Sequence, residues 1–375
     1  MKILHLFNEI KYSGAELMYA KAAPIFQEKG IEMYAFSTGK ELGEFAETLK
    51  KNNIKVFHFF YKPGKFISIQ RLKSYFRFYK FLKHNKIDIL HIHRSDIYFL
   101  SFIARLLNIP TIKTMHSVFR NPFYTYPYQV FQRWVGRRFY KIVFQTIGDS
   151  VYLNELNYYK NPSVKINNWY DGNKFYPATI GEKKSIRKKL GIEQDKLVIV
   201  SVGGCSYIKN HHDIIRAISI IPEKDKILYI HLGTGSTEKE EKQMAISLGV
   251  LNNIYFLGNK NNVRDYIIAS DIYIQTSHHE GLSIAALEAM ACGLPSILYN
   301  SPGLRDLISN NNNGFLIEPK PEMLVNKIQE YVKNPILMQR KGKAAINFAN
   351  THFSMNKNVL KIMNLYSKMI TQKSL

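Results

Sequence analysis

Glu280 and Glu288 stand in the segment HHEGLSIAALEAMACGLP, residues 278–295, directly after an apolar run at 271–277. The run predicts a strand, Glu280-Gly281 a turn, and the residues from about Ser283 a helix. The first amides of such a helix lack intrahelical partners and carry the positive end of its dipole, which suits a phosphate. Glu288 then lies about 7.5 Å along the axis from Ser283. Two carboxylates would therefore be spaced along one anion site, and carboxylates accept hydrogen bonds from ribose or hexose hydroxyls. On spacing alone, a turn glutamate and a surface helix glutamate fit the same pattern, and that reading stays open at this point.

Lys209 lies in the loop after the run 196–203, and taken alone it fits a solvated lysine at a helix start. His93 and His116 close two other apolar runs, at 88–93 and 111–116. Strand ends would carry both to a sheet edge, His93 more than His91, although each also fits a hydrogen-bonded core histidine. His278 and His279 are adjacent and point apart in an extended segment, which does not make a metal pair. The chain has no Asp-x-Asp, so a metal–diphosphate clamp of that kind is not expected. No metal and no cofactor are expected, because an ammonium and a helix dipole can stabilise a diphosphate unaided. Gly233-Thr234-Gly235 is half of a dinucleotide fingerprint without its third glycine or acidic partner. Cys205 and Cys292 sit far apart in apolar or Gly-rich surroundings and read as small packing residues without a disulfide.

The elements that must hold these residues alternate. Strands are expected at 2–7, 32–37, 55–60, 88–93, 111–116 and 141–146, then at 196–203, 227–233, 253–258, 271–277 and 295–300, with helices between most of them. Such alternation implies parallel sheets covered on both faces. A seam near 176–188, marked by Pro177, Gly181 and the run KKSIRKK, divides the chain into domains 1–177 and 178–352. An amphipathic segment at 353–371 is expected to pack back on the first. The fold class is thus α/β, with two Rossmann-like domains facing a central cleft that takes a ligand at the carboxyl ends of the strands.

At 375 residues and 46% hydrophobic, the chain is long and apolar enough for two cores, and neither disordered nor low in complexity. No apolar run approaches the roughly 20 residues of a membrane span, and the start MKILHLFNEIK reads as a strand, unlike a signal peptide. A cytoplasmic location is expected. The formal charge of +23 is unevenly placed: residues 51–141 hold 18 lysines and arginines against Asp88 and Asp96. Two stretches there, 62–86 and 119–141, interleave bases with aromatic residues, and Tyr128, Phe131, Val135 and Phe139 share one helical stripe. Such stretches suit the anionic inner face of a membrane, where rings sit at headgroup level. A core-packed helix with a solvated basic face is the competing reading.

Several of these motifs occur together in one order. Ser13-Gly14-Ala15-Glu16, Asp88 to His93, Thr114-Met115-His116, Asn168-Trp169-Tyr170-Asp171 with Phe175 and Pro177, Val202-Gly203 with Lys209-Asn210-His211, Glu280 to Glu288, and Gly303 with Asn313 to Ile317 follow one another over residues 2 to about 320. This set resembles the retaining, GT-B-fold glycosyltransferases of family 4, the bacterial surface-polysaccharide type, with their Glu-x7-Glu signature. The resemblance implies that Glu288 holds the ribose, Glu280 contacts the donor sugar, and the amides of Gly281, Leu282, Ser283 and Ile284 meet sugar and diphosphate. It implies Lys209 on the diphosphate, Gly14 facing the same phosphate from the other domain, and His116 beside the donor sugar or the acceptor; His93, from its place near a strand end, is put with it on the acceptor side. His116, Lys209 and Glu280 are the expected catalytic set. Two positions depart from the family: Gly204 replaces its usual phosphate-binding arginine, and Trp169 replaces a junction glycine.

The implied activity is metal-independent transfer of a hexose-type sugar, with retention, from a nucleotide-diphosphate sugar to a hydroxyl of a lipid-linked or surface-polysaccharide acceptor (capsule, O-antigen or exopolysaccharide, as in lipopolysaccharide synthesis). The enzyme would be peripheral to the inner face of the membrane. A nucleotide-sugar epimerase on the same fold is the alternative. Nucleic-acid binding would account for the charge but for none of the ordered motifs, and no nucleic-acid partner is expected.

Overall fold

The computed structural model describes residues 1–11, 14–59, 69–94, 98–118 and 125–373. Ser13, the last residue of the expected strand 55–60, the 62–68 part of the first basic stretch, Asp96 and residues 119–124 lie outside them. The chain forms two compact units, one of Met1–Asn168 with Met355–Leu375, the other of Trp169–Ser354.

The first unit runs β1 (Lys2–Phe7), α1 (Gly14–Glu28), β2 (Glu32–Ser37), α2 (Ala46–Lys51), β3 (Lys55–His58), α3 (Ile69–His84), β4 (Ile89–Ile92) and α4 (Tyr98–Leu106). It continues through β5 (Thr111–Met115), α5 (Tyr126–Arg138), β6 (Ile142–Thr146), α6 (Asp149–Leu153) and β7 (Val164–Lys165). The second holds α7 (Ile180–Lys189), β8 (Leu197–Val202), α8 (His211–Ile220), β9 (Ile227–Leu232), α9 (Glu238–Ser247), β10 (Ile254–Phe256), α10 (Val263–Ala269) and β11 (Ile272–Gln275). Then come α11 (Ile284–Ala291), β12 (Ser296–Tyr299), β13 (Gly314–Ile317), α12 (Pro321–Lys333) and α13 (Pro335–His352), and the chain ends in α14 (Met355–Lys373).

Both sheets are parallel, in the orders β3-β2-β1-β4-β5-β6-β7 and β10-β9-β8-β11-β12-β13. The α/β class with two parallel sheets agrees with the sequence. Parallel strands covered on both faces must be apolar throughout, and β1, β8 and β9 are buried almost end to end. Each sheet reverses its winding once, between β1 and β4 and between β8 and β11. At such a reversal the loops leaving the two central strands diverge and open a crevice at their carboxyl ends.

Two stretches, the seam and the edge of the first sheet, differ from the sequence expectation. The seam region holds a helix: Thr179 caps α7 by accepting from the Glu182 amide at 3.1 Å, and Arg187 and Lys183 bind Asp271 at 2.7 and 2.6 Å, which fastens it within the second unit. Tyr170 belongs to the same unit, its amide bonded to the Phe353 carbonyl and its hydroxyl to Asn350. The first sheet gains the two-residue β7 at its edge. Helix α14 packs on α1, where the buried Tyr366 reaches His91 at 2.7 Å.

Candidate active site

The loops leaving β8 and β11 carry Lys209 and Glu280. The chain enters α8 through Asn210 in the left-handed conformation, φ 52°, a turn that asparagine tolerates. Lys209 folds back over Gly203, where an added Cβ would lie 3.5 Å from its Cε. Its Nζ meets Glu280 Oε1 at 2.6 Å. The same oxygen accepts from Gln275 Nε2 at 2.8 Å, and Gln275 Oε1 accepts from Ser283 Oγ at 2.6 Å and Tyr273 OH at 3.0 Å. A relay of buried polar groups at the end of β11 therefore fixes the glutamate that fixes the lysine. Both members of the pair keep partial access to solvent, at 26% for Lys209 and 15% for Glu280.

The turn that holds Glu280 is braced from β12. Its amide donates to the Pro302 carbonyl at 2.9 Å, and Ser301 Oγ donates to the Ser277 carbonyl at 2.7 Å. Gly303, at φ +80°, lies so close that a Cβ there would stand 2.5 Å from the Glu280 carbonyl oxygen. Only glycine permits that approach.

Ser283 caps α11, its Oγ accepting from the Ala286 amide at 3.2 Å. The amides of Gly281, Leu282, Ser283 and Ile284 have no acceptor among the described residues. They are the donors that a helix start leaves for a ligand. Ala286, Leu287, Ala289 and Met290 are buried, whereas Ile284 and Glu288, one turn apart, share the partly open face. Gly204 leaves little room for a longer residue, since a Cβ there meets the Thr234 carbonyl at 3.0 Å.

In the first unit the carboxyl ends of β1, β4 and β5 gather four histidines. His5 Nδ1 lies 3.0 Å from His93 Nε2, and His93 Nδ1 lies 3.3 Å from His116 Nε2. His91 is fully buried between Tyr366 and Thr114, at 2.7 Å from each. Burial depresses all four: His5 to about 3, His116 to about 4, and His91 and His93 well below the usual value, the last two helped by their neighbours' charge. Neutral rings with one N–H each can form this chain; charged ones would repel. His93 and His116 are its partly accessible members, whereas His91 is a core histidine. Gly14 opens α1, with nothing within 4 Å of a Cβ placed there.

Residues 182–348 match the family model "Glycosyl transferases group 1", and residues 12–153 match "Glycosyltransferase Family 4". The chain is a family 4 glycosyltransferase of GT-B fold. It is 28% identical over 321 residues, 81% of each chain, to the Escherichia coli UDP-Gal:alpha-D-GlcNAc-diphosphoundecaprenol alpha-1,3-galactosyltransferase. It is 26% identical over 196 residues, about half of either chain, to the putative glycosyltransferase EpsD of Bacillus subtilis. Among solved structures, Anabaena HepE in complex with UDP superposes with a TM-score of 0.85 at 20% identity, covering 98% of this chain and 100% of that one. HepE has also been solved with UDP-glucose.

In this glycosyltransferase the structure brings Lys209, Glu280 and the 281–284 amides together at one sheet reversal, and His93 and His116 together at the other sheet. Sequence reading overlooked Gln275, Ser277 and Ser301, ordinary polar residues that matter only through their bonds to the Glu280 turn. It also overlooked His5, whose signal was its match in register with His91 on the neighbouring strand. The α5 stripe is not a core face. Phe131, Trp134 and Phe139 are 56%, 44% and 57% exposed, while Arg133 turns inward to the buried Glu155, with two contacts of 2.8 Å.

Proposed function

We propose that this glycosyltransferase moves a hexose-type sugar from a nucleotide-diphosphate donor to a hydroxyl of a lipid-linked or surface-polysaccharide acceptor, retaining the anomeric configuration. One observation carries the donor half: Lys209, Glu280 and four unpaired amides converge where β8 and β11 part. That is an anion site with a hydroxyl acceptor beside it. The diphosphate would lie on the amides of Gly281 to Ile284 and on Lys209, with Glu280 toward the sugar and Glu288 toward the ribose. The relatives' named substrates, UDP-galactose and a diphosphoundecaprenol-linked sugar, and HepE's UDP and UDP-glucose, support a nucleotide donor and a lipid-linked acceptor.

The chemistry follows from charge. Breaking the anomeric bond moves negative charge onto the diphosphate, where the amides and the ammonium stabilise it more than they do the ground state. The departing phosphate oxygen takes the acceptor's proton on the same face, so no protein nucleophile and no metal is needed. His116, held neutral by burial, would orient the acceptor hydroxyl, with His93 behind it.

Exposed Phe131, Trp134 and Phe139 beside the exposed Arg138 form a face suited to anionic lipid. A second basic feature lies at α3, where Arg77, Lys80, Lys83 and His84 line a cavity of about 700 Å³ with Phe57 and Phe81. Among the described residues no helix is long and apolar enough to cross a membrane, so attachment would be peripheral.

A panel of nucleotide sugars tests the reading. Thermal stabilisation should pick out one donor, and nucleoside diphosphate should be released on adding a lipid-linked acceptor. Conversion of the donor sugar without any acceptor would favour the epimerase reading instead.

A further inference from the structure

We propose that Cys205, His231 and Glu241 form a buried transition-metal site, suited to zinc, that ties the loop after β8 to β9 and α9 beneath the Lys209 loop. The three come from separate elements: the β8 loop, β9 and α9. Cys205 Sγ lies 3.9 Å from His231 Nδ1, and His231 Nδ1 lies 3.9 Å from Glu241 Oε2. The three ligand atoms all fall within 4.8 Å of one another. Ligands about 2.0–2.3 Å from a tetrahedral zinc stand roughly 3.3–3.7 Å apart. The two gaps at His231 need to contract by a few tenths of an ångström, and the third lies within 4.8 Å.

Hydrogen bonding favours a cation over a dry core. His231 Nε2 lies 3.2 Å from the Gly203 carbonyl, which fixes the proton on Nε2 and aims the Nδ1 lone pair into the gap. Glu241 Oε1 accepts from Thr237 at 2.7 Å, but Oε2 has no hydrogen-bond partner although the residue is 0% exposed. The Gly233 carbonyl stands 3.8 Å from Cys205 Sγ. Three acceptors thus surround a single weak S–H donor. Buried acceptors are costly when unmet, and what this pocket lacks is positive charge. Holding the outer nitrogen of a ligating histidine with a carbonyl is the usual support for a metal ligand.

The charge balances. A divalent ion binds the thiolate, the carboxylate and the neutral imidazole, releases the thiol proton to solvent, and leaves the site with no net charge. The Gly233 carbonyl or a water completes four ligands. Cys205 is 2% exposed and His231 and Glu241 are 0%, so the ion is sealed in and enters as the chain folds. It is thus a structural ion, separate from any role at the diphosphate. Its effect is to fix Gly203 to Cys205, the stretch over which Lys209 folds.

The test is to produce the full chain in zinc- or cobalt-supplemented minimal medium and measure bound metal. About one ion per chain is expected, with a thiolate-to-cobalt charge-transfer band in the cobalt form. Cys205→Ser should lose the band and Glu241→Gln most of the metal, each with an unchanged far-ultraviolet circular dichroism spectrum, while Cys292→Ser keeps both. Wild-type protein with less than about a tenth of an ion per chain under both conditions would overturn the proposal. So would a Cys205→Ser variant that retains the band. Should the variants fail to fold, the wild-type metal content and spectrum decide alone. None of these readouts depends on sugar transfer.

Discussion

Lys209→Met is the most informative single change at the donor site. In the structure the Lys209 ammonium neutralises Glu280 at 2.6 Å, and the only other donor to that oxygen among the described residues is the uncharged Gln275 amide. Removing the ammonium therefore does two things. It deletes a charge-assisted bond to the diphosphate, worth about 1.5–3 kcal/mol. It also leaves a bare, mostly buried carboxylate beside the anion; at roughly 6 Å and an effective dielectric constant of about 20–40, that repulsion is about 1.5–3 kcal/mol. The effects overlap, so a net loss of about 2–4 kcal/mol is expected, roughly 30-fold or more in affinity. Titration calorimetry with the nucleoside diphosphate selected by the donor screen measures it. Glu280→Gln should bind diphosphate at least as tightly as wild type while transferring poorly, because it frees the cation but alters the sugar contact. The double variant separates the two roles. If Lys209 touches phosphate, Lys209→Met with Glu280→Gln stays about tenfold weak; if it serves only to neutralise Glu280, affinity returns to wild type. A Lys209→Met protein that binds within about twofold of wild type refutes the electrostatic reasoning.

Three further outcomes are expected. Gly303→Ala forces a methyl to within 2.5 Å of the Glu280 carbonyl, so transfer should fall at least about tenfold while the protein stays folded; normal turnover would show that this turn is not under constraint. Buried His5, His91, His93 and His116 make stability depend on pH: their folded values lie below the unfolded value of about 6.5, the unfolded chain binds more protons in the window between, and stability is lost as pH falls from about 6.5 toward 4. Urea unfolding should show at least about 2 kcal/mol less stability at pH 5.5 than at 7.5, and a flat profile would contradict the neutral-histidine assignment. Trp134→Ala combined with Phe131→Ala should abolish co-sedimentation with anionic vesicles, and wild-type binding should fade with salt; equal binding of wild type to uncharged vesicles would argue against the basic-aromatic face.

Much of this architecture could be read from the chain because its information is local. Continuous apolar runs give buried parallel strands, and Glu280 and Lys209 sit where such runs stop. Their partnership was hidden, since 71 residues separate them and only the adjacency of β8 and β11 makes them neighbours. The same holds for His5 and His93, joined by the pairing of β1 with β4. Helix α5 shows where two readings of one pattern had to be separated by structure. Its aromatic stripe fits a core face by periodicity, but Arg133 has the buried Glu155 as a fixed partner. An unpaired buried carboxylate costs far more than exposed rings, and that sets the rotation of the helix. Strand β7, with two residues, is too short to leave a pattern. Helix α7 is polar along most of its length and held by ion pairs to Asp271, so it looked like a seam.

The location of the donor is tested most directly by hydrogen–deuterium exchange with and without the nucleoside diphosphate that stabilises the protein. Peptides covering 203–210 and 280–288 should slow in exchange on binding, because the amides of Gly281 to Ile284 pass from solvent to phosphate, and both effects should vanish in Glu288→Ala at the same ligand concentration. Saturated protein in which those two segments exchange as they do without ligand, with protection appearing elsewhere, would contradict the account.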